Sequence, residues 1–553
     1  MGTESIVHKC RKSIITVTAA LLVLGLAGCE VNTTAGSTTT SNAGSSSTDT
    51  VRYAIWSNPN GQFNPVTYST DYDKAIIFNV YGRLVVLDSK NEFQPSLAKS
   101  YEWSKDGKTL TFKLRDDVKW HDGKPFTADD VAFTYKATAE KDFPLDATPM
   151  VQSLEGYNEI HSGQTQDFPG ITTPDEQTVV FHFATPYSNA LITFSSKPIL
   201  AKHVWEGTPV SQWTKATDLL NHPIGTGPYK FKEFVNGQYV ALEANDEYFG
   251  GKPKTKNLVF KVVSPDTLQT SLINKEVDIA EISSFNPKEI EAYKQAGINV
   301  LEDEGVNGQY LSFDTKNPKL SNKKVRQALL YAIDRKGIIN SLLYGHGTTF
   351  NAQAHPSDPL YPKDLNTYDY NPEKAKTLLK EAGWSDSNND GILDKNGEKF
   401  TFTINYPTGN KTRELSAPII QKNLQDVGLD VNIVQGDFNS TLAILQDESK
   451  TYDGVLMGGS FSPQLPYGVS DWWARWGSDG PVKAAFDEFN ATTEPAARKK
   501  AASKYLHYEN DEVPFAFLYI PSQGTAVRPE VKGFERSIYE PFTSVTNWTV
   551  ESK

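Results

Sequence analysis

The chain has 553 residues, too many for one ordinary hydrophobic core, so two or three lobes are expected. Hydrophobic residues make up 38% and aromatic residues 11%, which excludes a disordered chain. A net charge of −12, with no long basic run, excludes a nucleic-acid binder, which would turn a basic face to the phosphates.

The first element in chain order is a targeting segment. His8-Lys9-Cys10-Arg11-Lys12 is basic and Ile14 to Ala27 is apolar. The run is shorter than the roughly 20 residues a membrane helix needs, and it suits a secretion signal. It ends Leu26-Ala27-Gly28-Cys29, which resembles the bacterial lipobox, so residues 1–28 are expected to be removed and Cys29 to carry lipid. The only two cysteines, Cys10 and Cys29, are then both accounted for. The lipid on Cys29 would hold the protein to the bacterial membrane, at the cell surface or the periplasmic face. Residues 29–50, rich in Ser, Thr and Gly, read as a flexible tether.

Val51 to Trp56 alternates like a first strand, and Thr109–Leu114, Thr178–Phe183 and Tyr239–Glu243 read as further strands. Residues Val325, Ala328, Leu329 and Ala332 recur at helical spacing. Asn371-Pro372-Glu373 opens another helix, with Ala375, Leu378, Leu379 and Ala382 on one face and a stop at Gly383. A strand at Thr401–Tyr406, a helix running through Pro418 to Val427 and a strand at Leu429–Val434 complete a β-α-β succession, the signature of an α/β lobe.

Residues 119–131, KWHDGKPFTADDV, place His121 beside Asp122. No nucleophile lies near them in sequence, so the stretch reads as a corner rather than a catalytic dyad. Asp122-Gly123 is a turn, Thr127 an N-cap and Asp129-Asp130 the acidic first turn of a helix. Val131, Tyr135 and Ala132 are expected to form its buried stripe.

Several motifs occur together and in order: Trp103 to Thr109, Phe112 to Val131, Gly225-Thr226-Gly227-Pro228-Tyr229, Asn245 to Pro253, Val325-Arg326-Gln327-Ala328, Ala332 to Arg335, Asn371 to Ala375 and Glu381 to Trp384. From about Val51 to the C-terminal region, this set resembles the peptide/nickel class of ABC-transporter solute-binding proteins, family 5. The resemblance implies a two-lobed α/β body, periplasmic-binding-protein-like (type II, cluster C), with a small extra domain inserted in the first lobe. Lobe I is expected over 51–265, lobe II over 266–520 and a return to lobe I over 521–553. The body would close on its ligand by a hinge and deliver it to an ABC permease, acting as a monomer without enzymatic activity or cofactor. Peptide is the leading cargo. An oligosaccharide or metal chelate, or a peptide-pheromone sensor, are the alternatives.

Peptide-binding members hold the ligand ammonium with an Asp just after the segment matching Tyr452 to Ser460. Here the chain continues Phe461-Ser462-Pro463-Gln464-Leu465 with no acid. The expected ligand contacts are Ser69 and Asp71 in an early loop, then Gly459, Ser460, Phe461, Ser462 and Gln464. Asp471, Trp472, Trp473, Arg475 and Trp476 follow, since three indoles and an Arg could wall a cleft or clamp a carboxylate. Asp386, Asn388, Asp390 and Asp394 begin like a calcium loop, but position twelve is Gly397 rather than a bidentate Glu, so they are a weak metal candidate. HExxH, Walker and GxSxG motifs are absent, and nine scattered His show no helical ligand pair.

Overall fold

The computed structural model describes residues 47–447, 449–464 and 481–551. A seven-stranded sheet takes the order Asn299–Asp303, Gln523–Val527, Ile279–Ile282, Thr50–Ile55, Asn257–Val262, Tyr239–Ala244, Tyr229–Val235. A six-stranded sheet follows the order Gly347–Thr348, Phe515–Pro521, Asn307–Phe313, Gly454–Ser460, Thr401–Pro407, Asp430–Gly436. Each is the centre of one lobe. Between Ile55 and Tyr229 the chain also builds an antiparallel four-stranded sheet of Ala98–Trp103, Thr109–Leu114, Thr178–His182 and Ile171–Asp175, the inserted domain of lobe I.

The expected boundary at 265/266 is corrected by this topology. Ile279–Ile282 lies beside Thr50–Ile55, and Asn299–Asp303 closes the edge of the same first sheet. The chain therefore leaves lobe I between Asp303 and Asn307, and it returns between Pro521 and Gln523.

The apolar patterns explain where the elements bury. In Thr109–Leu114 the alternate residues Leu110, Phe112 and Leu114 are buried, as a strand with one core face requires. Helix Lys323–Ala332 buries Val325, Ala328, Leu329 and Ala332, and helix Pro372–Glu381 buries Ala375 and Leu379. Both belong to one continuous core with Phe402, Ile404 and Leu456 of the second sheet. Asp278, fully buried under the first sheet, is held by the guanidinium groups of Arg52 at 2.9 Å and Arg528 at 3.2 Å. Without them it would be an uncompensated buried charge.

The KWHDG corner is pinned from several sides. The Asp130 carboxylate accepts from the Thr127 amide at 3.0 Å, the Trp120 indole at 3.2 Å and the Lys202 amide at 2.9 Å. His121 donates from Nε2 to the Gly227 carbonyl at 3.1 Å and accepts the Gly225 amide at Nδ1, 3.3 Å. Burial depresses the His121 pKa to about 4, so the ring is neutral and occupied as a structural tie. Asp122 pairs instead with His203 at 2.8 Å. In helix Ala128–Ala139, Val131 and Tyr135 are buried as expected, but Ala132 is only half-buried and Thr134 is buried beside them. Its hydroxyl tolerates burial because it donates to the Asp130 carbonyl and accepts from the Leu200 amide.

Candidate functional site

Strand direction identifies the faces that meet at the junction. In the first sheet Thr50–Ile55 runs parallel to both Asn257–Val262 and Ile279–Ile282. Asn299–Asp303 runs the same way, because both it and Ile279–Ile282 are antiparallel to Gln523–Val527. In the second sheet Thr401–Pro407, Asp430–Gly436 and Gly454–Ser460 are parallel. Asn307 pairs with Ser460 at their carboxyl edge. Both crossings thus leave the carboxyl edge of one sheet and enter the carboxyl edge of the other. These edges are where α/β folds form ligand crevices.

The hinge is tightly packed. A Cβ on Gly305 would lie 2.1 Å from the Pro521 carbonyl oxygen, so the two crossings touch there and only glycine fits. His346 of lobe II stacks on Phe285 of lobe I at 4.2 Å and its Nδ1 meets Glu302 at 2.9 Å. His355 donates to the Gly305 carbonyl at 2.9 Å.

The lobe I wall is acidic. Asp71 is exposed at the start of helix Asp71–Val80, and Ser69 is exposed just before it. Glu281, at the carboxyl edge, has its pKa raised by burial against the lowering influence of Arg536. Burial, then the Asp71 and Glu281 carboxylates, raises the Tyr72 phenol, which places all three in one neighbourhood. Trp56 donates its indole N–H to the Glu281 carbonyl at 3.1 Å. Sequence reasoning found Asp71 but not Glu281, whose strand pattern makes it resemble any surface glutamate.

The lobe II wall carries a buried cation that sequence reasoning also missed. Arg413 sits in the first turn of helix Lys411–Gln425, directly beyond the carboxyl end of Thr401–Pro407. Its Nε donates to the Gln309 side chain at 2.9 Å, and among the described residues no carboxylate lies within ion-pair distance of it. Gly458 keeps this corner open: a Cβ there would lie 2.8 Å from Arg413 Nη2 and 2.2 Å from the Gln309 amide nitrogen. A clue was available in the sequence, since a cation in a helix's first turn opposes the dipole and calls for another reason to be there.

The structure separates the other expected residues into distinct roles. Gly459 and Ser460 end the strand at the crevice edge and Phe461 follows it; Ser460 Oγ donates to Asn307, and the Phe461 amide donates to the Val306 carbonyl at 2.7 Å. Phe461 and Gly459 line a small recess, about 10 Å³ and so no larger than a water molecule, with Gly308, Tyr310, Phe350, Gln353 and Phe517. Ser462 is half-buried and lies just beyond the strand Gly454–Ser460, with no acid beside it in the stretch 461–464. Gln464 also bridges the lobes, donating to the Asn91 carbonyl at 3.0 Å. Asp471, Trp472, Trp473, Arg475, Trp476 and Cys29 lie outside the described residues.

The calcium-like loop spends its carboxylates on itself. Asp386 accepts the Asp390 and Gly391 amides, Asp390 accepts the Ile392 amide and pairs with Lys399, and Asp394 accepts Ser387. Asn388 accepts the Asp390 amide as well. Among the described residues no group of three or more His, Cys, Asp or Glu side chains converges for a metal.

Two hinged lobes with a crevice between their carboxyl edges, a lone buried arginine on one wall and carboxylates on the other, define a solute-binding protein that encloses its ligand. The family model "bacterial extracellular solute-binding proteins, family 5 Middle" matches residues 92–480. The chain belongs to that family. It is 30% identical over 509 residues to the oligopeptide-binding protein AppA of Bacillus subtilis, covering 87% of this chain and 88% of AppA. It is 30% identical over 520 residues to the dipeptide-binding protein of Escherichia coli, covering 88% and 92%. Among solved structures, AppA with a nonapeptide superposes at a TM-score of 0.70 with 27% identity, over 92% of this chain and 100% of that one. NikZ of Campylobacter jejuni with Ni(L-His) gives 0.67 and 28%, over 91% and 99%. Membership in a solute-binding family supports a role in binding rather than catalysis.

Proposed function

We propose that the protein is the solute-capturing subunit of an ABC importer, that its cargo is a short peptide, and that it presents the closed, loaded form to the permease subunits. Arg413 is the observation that carries this reading. A buried guanidinium with one neutral side-chain acceptor is costly, and a ligand carboxylate supplies the missing charge with bidentate geometry. The peptide's ammonium end faces Asp71 and Glu281 on the other wall, which compensates for the lack of an acid in 461–464. The lipid on Cys29 and a tether that ends before Ser47, where the chain already pairs with Val550 and Glu551 rather than staying free to residue 50, keep a monomeric body close to the membrane.

Mass spectrometry of whatever co-purifies with the protein tests the reading. A mixture of short peptides supports it; a sugar or a metal chelate in their place overturns it. The chelate reading draws on the similarity to NikZ, whose structure holds Ni(L-His), and it predicts nickel in the purified protein.

A further inference from the structure

The crossings at Asp303–Asn307 and Pro521–Gln523 are not the only ties between the lobes. A second set of contacts, sharing no residue with the hinge, runs from lobe I and its inserted domain to the helices Pro481–Ala491 and Pro495–Glu512 of lobe II. The Ser188 amide donates to the Asn490 carbonyl at 2.9 Å and Ser188 Oγ to the Phe489 carbonyl at 3.2 Å. The Asn189 side-chain amide donates to Asn490 Oδ1 at 2.7 Å. Those carbonyls belong to the last turn of Pro481–Ala491, where a helix leaves acceptors without partners of its own. The Asn490 carbonyl is capped by the other lobe, and the Phe489 carbonyl, which also takes the Thr492 amide at 3.2 Å, gains a second donor from it.

Arg498 fastens the same place. Its guanidinium lies 4.1 Å from the Phe489 ring and donates to Ser188 Oγ, to Asn189 Oδ1 at 2.6 Å and to the Gln464 carbonyl at 3.2 Å. Arg498, Ser188 and Asn189 are each at least nine-tenths buried by this contact. Gln464 holds a left-handed backbone, φ 53°, an uncommon conformation for a residue with a side chain. Its three polar groups are all engaged: the amide on Asp358 at 2.6 Å, the carbonyl on Arg498, the side chain on Asn91 across the lobes.

We propose that this contact is a closure latch, in which the inserted domain caps the helix end at Phe489–Asn490 and grips Arg498, so that the crevice opens only when both are released to water. The latch also fixes Gln464, whose amide, carbonyl and side chain are all held by it or beside it. The inserted domain thereby acquires a role that the hinge alone does not provide.

Hydrogen exchange followed by mass spectrometry on the full chain reads the latch directly, because the Ser188 amide is protected only by its bond across the lobes. In Arg498→Met, the segment 185–190 should exchange about tenfold faster or more, while the strand at 307–313 keeps its parental protection. Asn189→Ala should act in the same direction; Asn189 precedes helix Ala190–Ser196 without a side-chain capping bond, so its loss leaves that helix intact. If Arg498→Met also loosens 307–313, it has unfolded the lobe, and Asn189→Ala decides alone. Parental protection of 185–190 in a folded variant overturns the latch.

Discussion

Glu509 offers the sharpest quantitative test of how this body is held together. It is fully buried in helix Pro495–Glu512 and among the described residues has no cationic partner. Its carboxyl accepts the Gln353 amide at 2.7 Å and contacts the Tyr505 hydroxyl at 3.4 Å, which in turn donates to Gln353 Oε1 at 3.2 Å. Burial pushes its pKa up to about 8 from an ordinary 4.5. The folded state therefore keeps a proton that the unfolded chain releases above 4.5. The stability this group contributes is greatest in acid, declines from about pH 4.5 and levels off above about pH 8. At about 1.4 kcal/mol per pH unit, the span amounts to roughly 5 kcal/mol, an order-of-magnitude figure. Glu509→Gln keeps the acceptor for the Gln353 amide and puts an N–H where the acid proton stood, without any titration. Thermal midpoints measured from pH 5 to 8.5 should show variant and parent drawing apart as pH rises, by roughly 2–4 °C per kcal/mol for a lobe of this size. A constant difference across that range would refute the buried, protonated carboxyl.

Three further outcomes follow from particular contacts. Gly305→Ala drives a Cβ into the Pro521 carbonyl and should cost about 1–3 kcal/mol in urea unfolding, or else lock the lobes apart, seen as a larger radius of gyration in X-ray scattering. His121→Leu strands the Gly225 amide, while the Gly227 carbonyl keeps the Asn245 side-chain amide at 3.1 Å; it should destabilise by about 1–3 kcal/mol yet leave peptide affinity at the parental value in a fluorescence titration. Cys29→Ala should move the protein from the membrane fraction to the soluble one, and retention of both lipid and membrane attachment would contradict the lipobox reading.

The sequence revealed the elements whose residues answer to a single period. Val325, Ala328, Leu329 and Ala332 form a stripe no tertiary contact needs to reinterpret, and Leu110, Phe112 and Leu114 alternate without interruption. Thr134 was less legible, because its burial depends on a hydroxyl bonding partner sixty-six residues away. The lobe boundary was also hidden. Ile279–Ile282 reads as a strand of either sheet, and only its pairing with Tyr53 and Ala54 assigns it to the first. The site was the least legible part. Arg413 and Gln309 meet across 104 residues, and the pairing that leaves the guanidinium without a carboxylate is a property of the folded chain. Gln464, selected as a ligand contact, also ties the lobes through Asn91, a bond across 373 residues that no local pattern announces.

The central claim is that a ligand carboxylate completes Arg413. Isothermal titration of the purified protein with a co-purified peptide, and with the same peptide carrying a C-terminal amide, measures that directly. Loss of one charge-assisted, desolvated pair should weaken the amide about tenfold or more in the parent. In Arg413→Met the two forms should bind alike. Equal affinity of acid and amide for the parent protein would contradict the account.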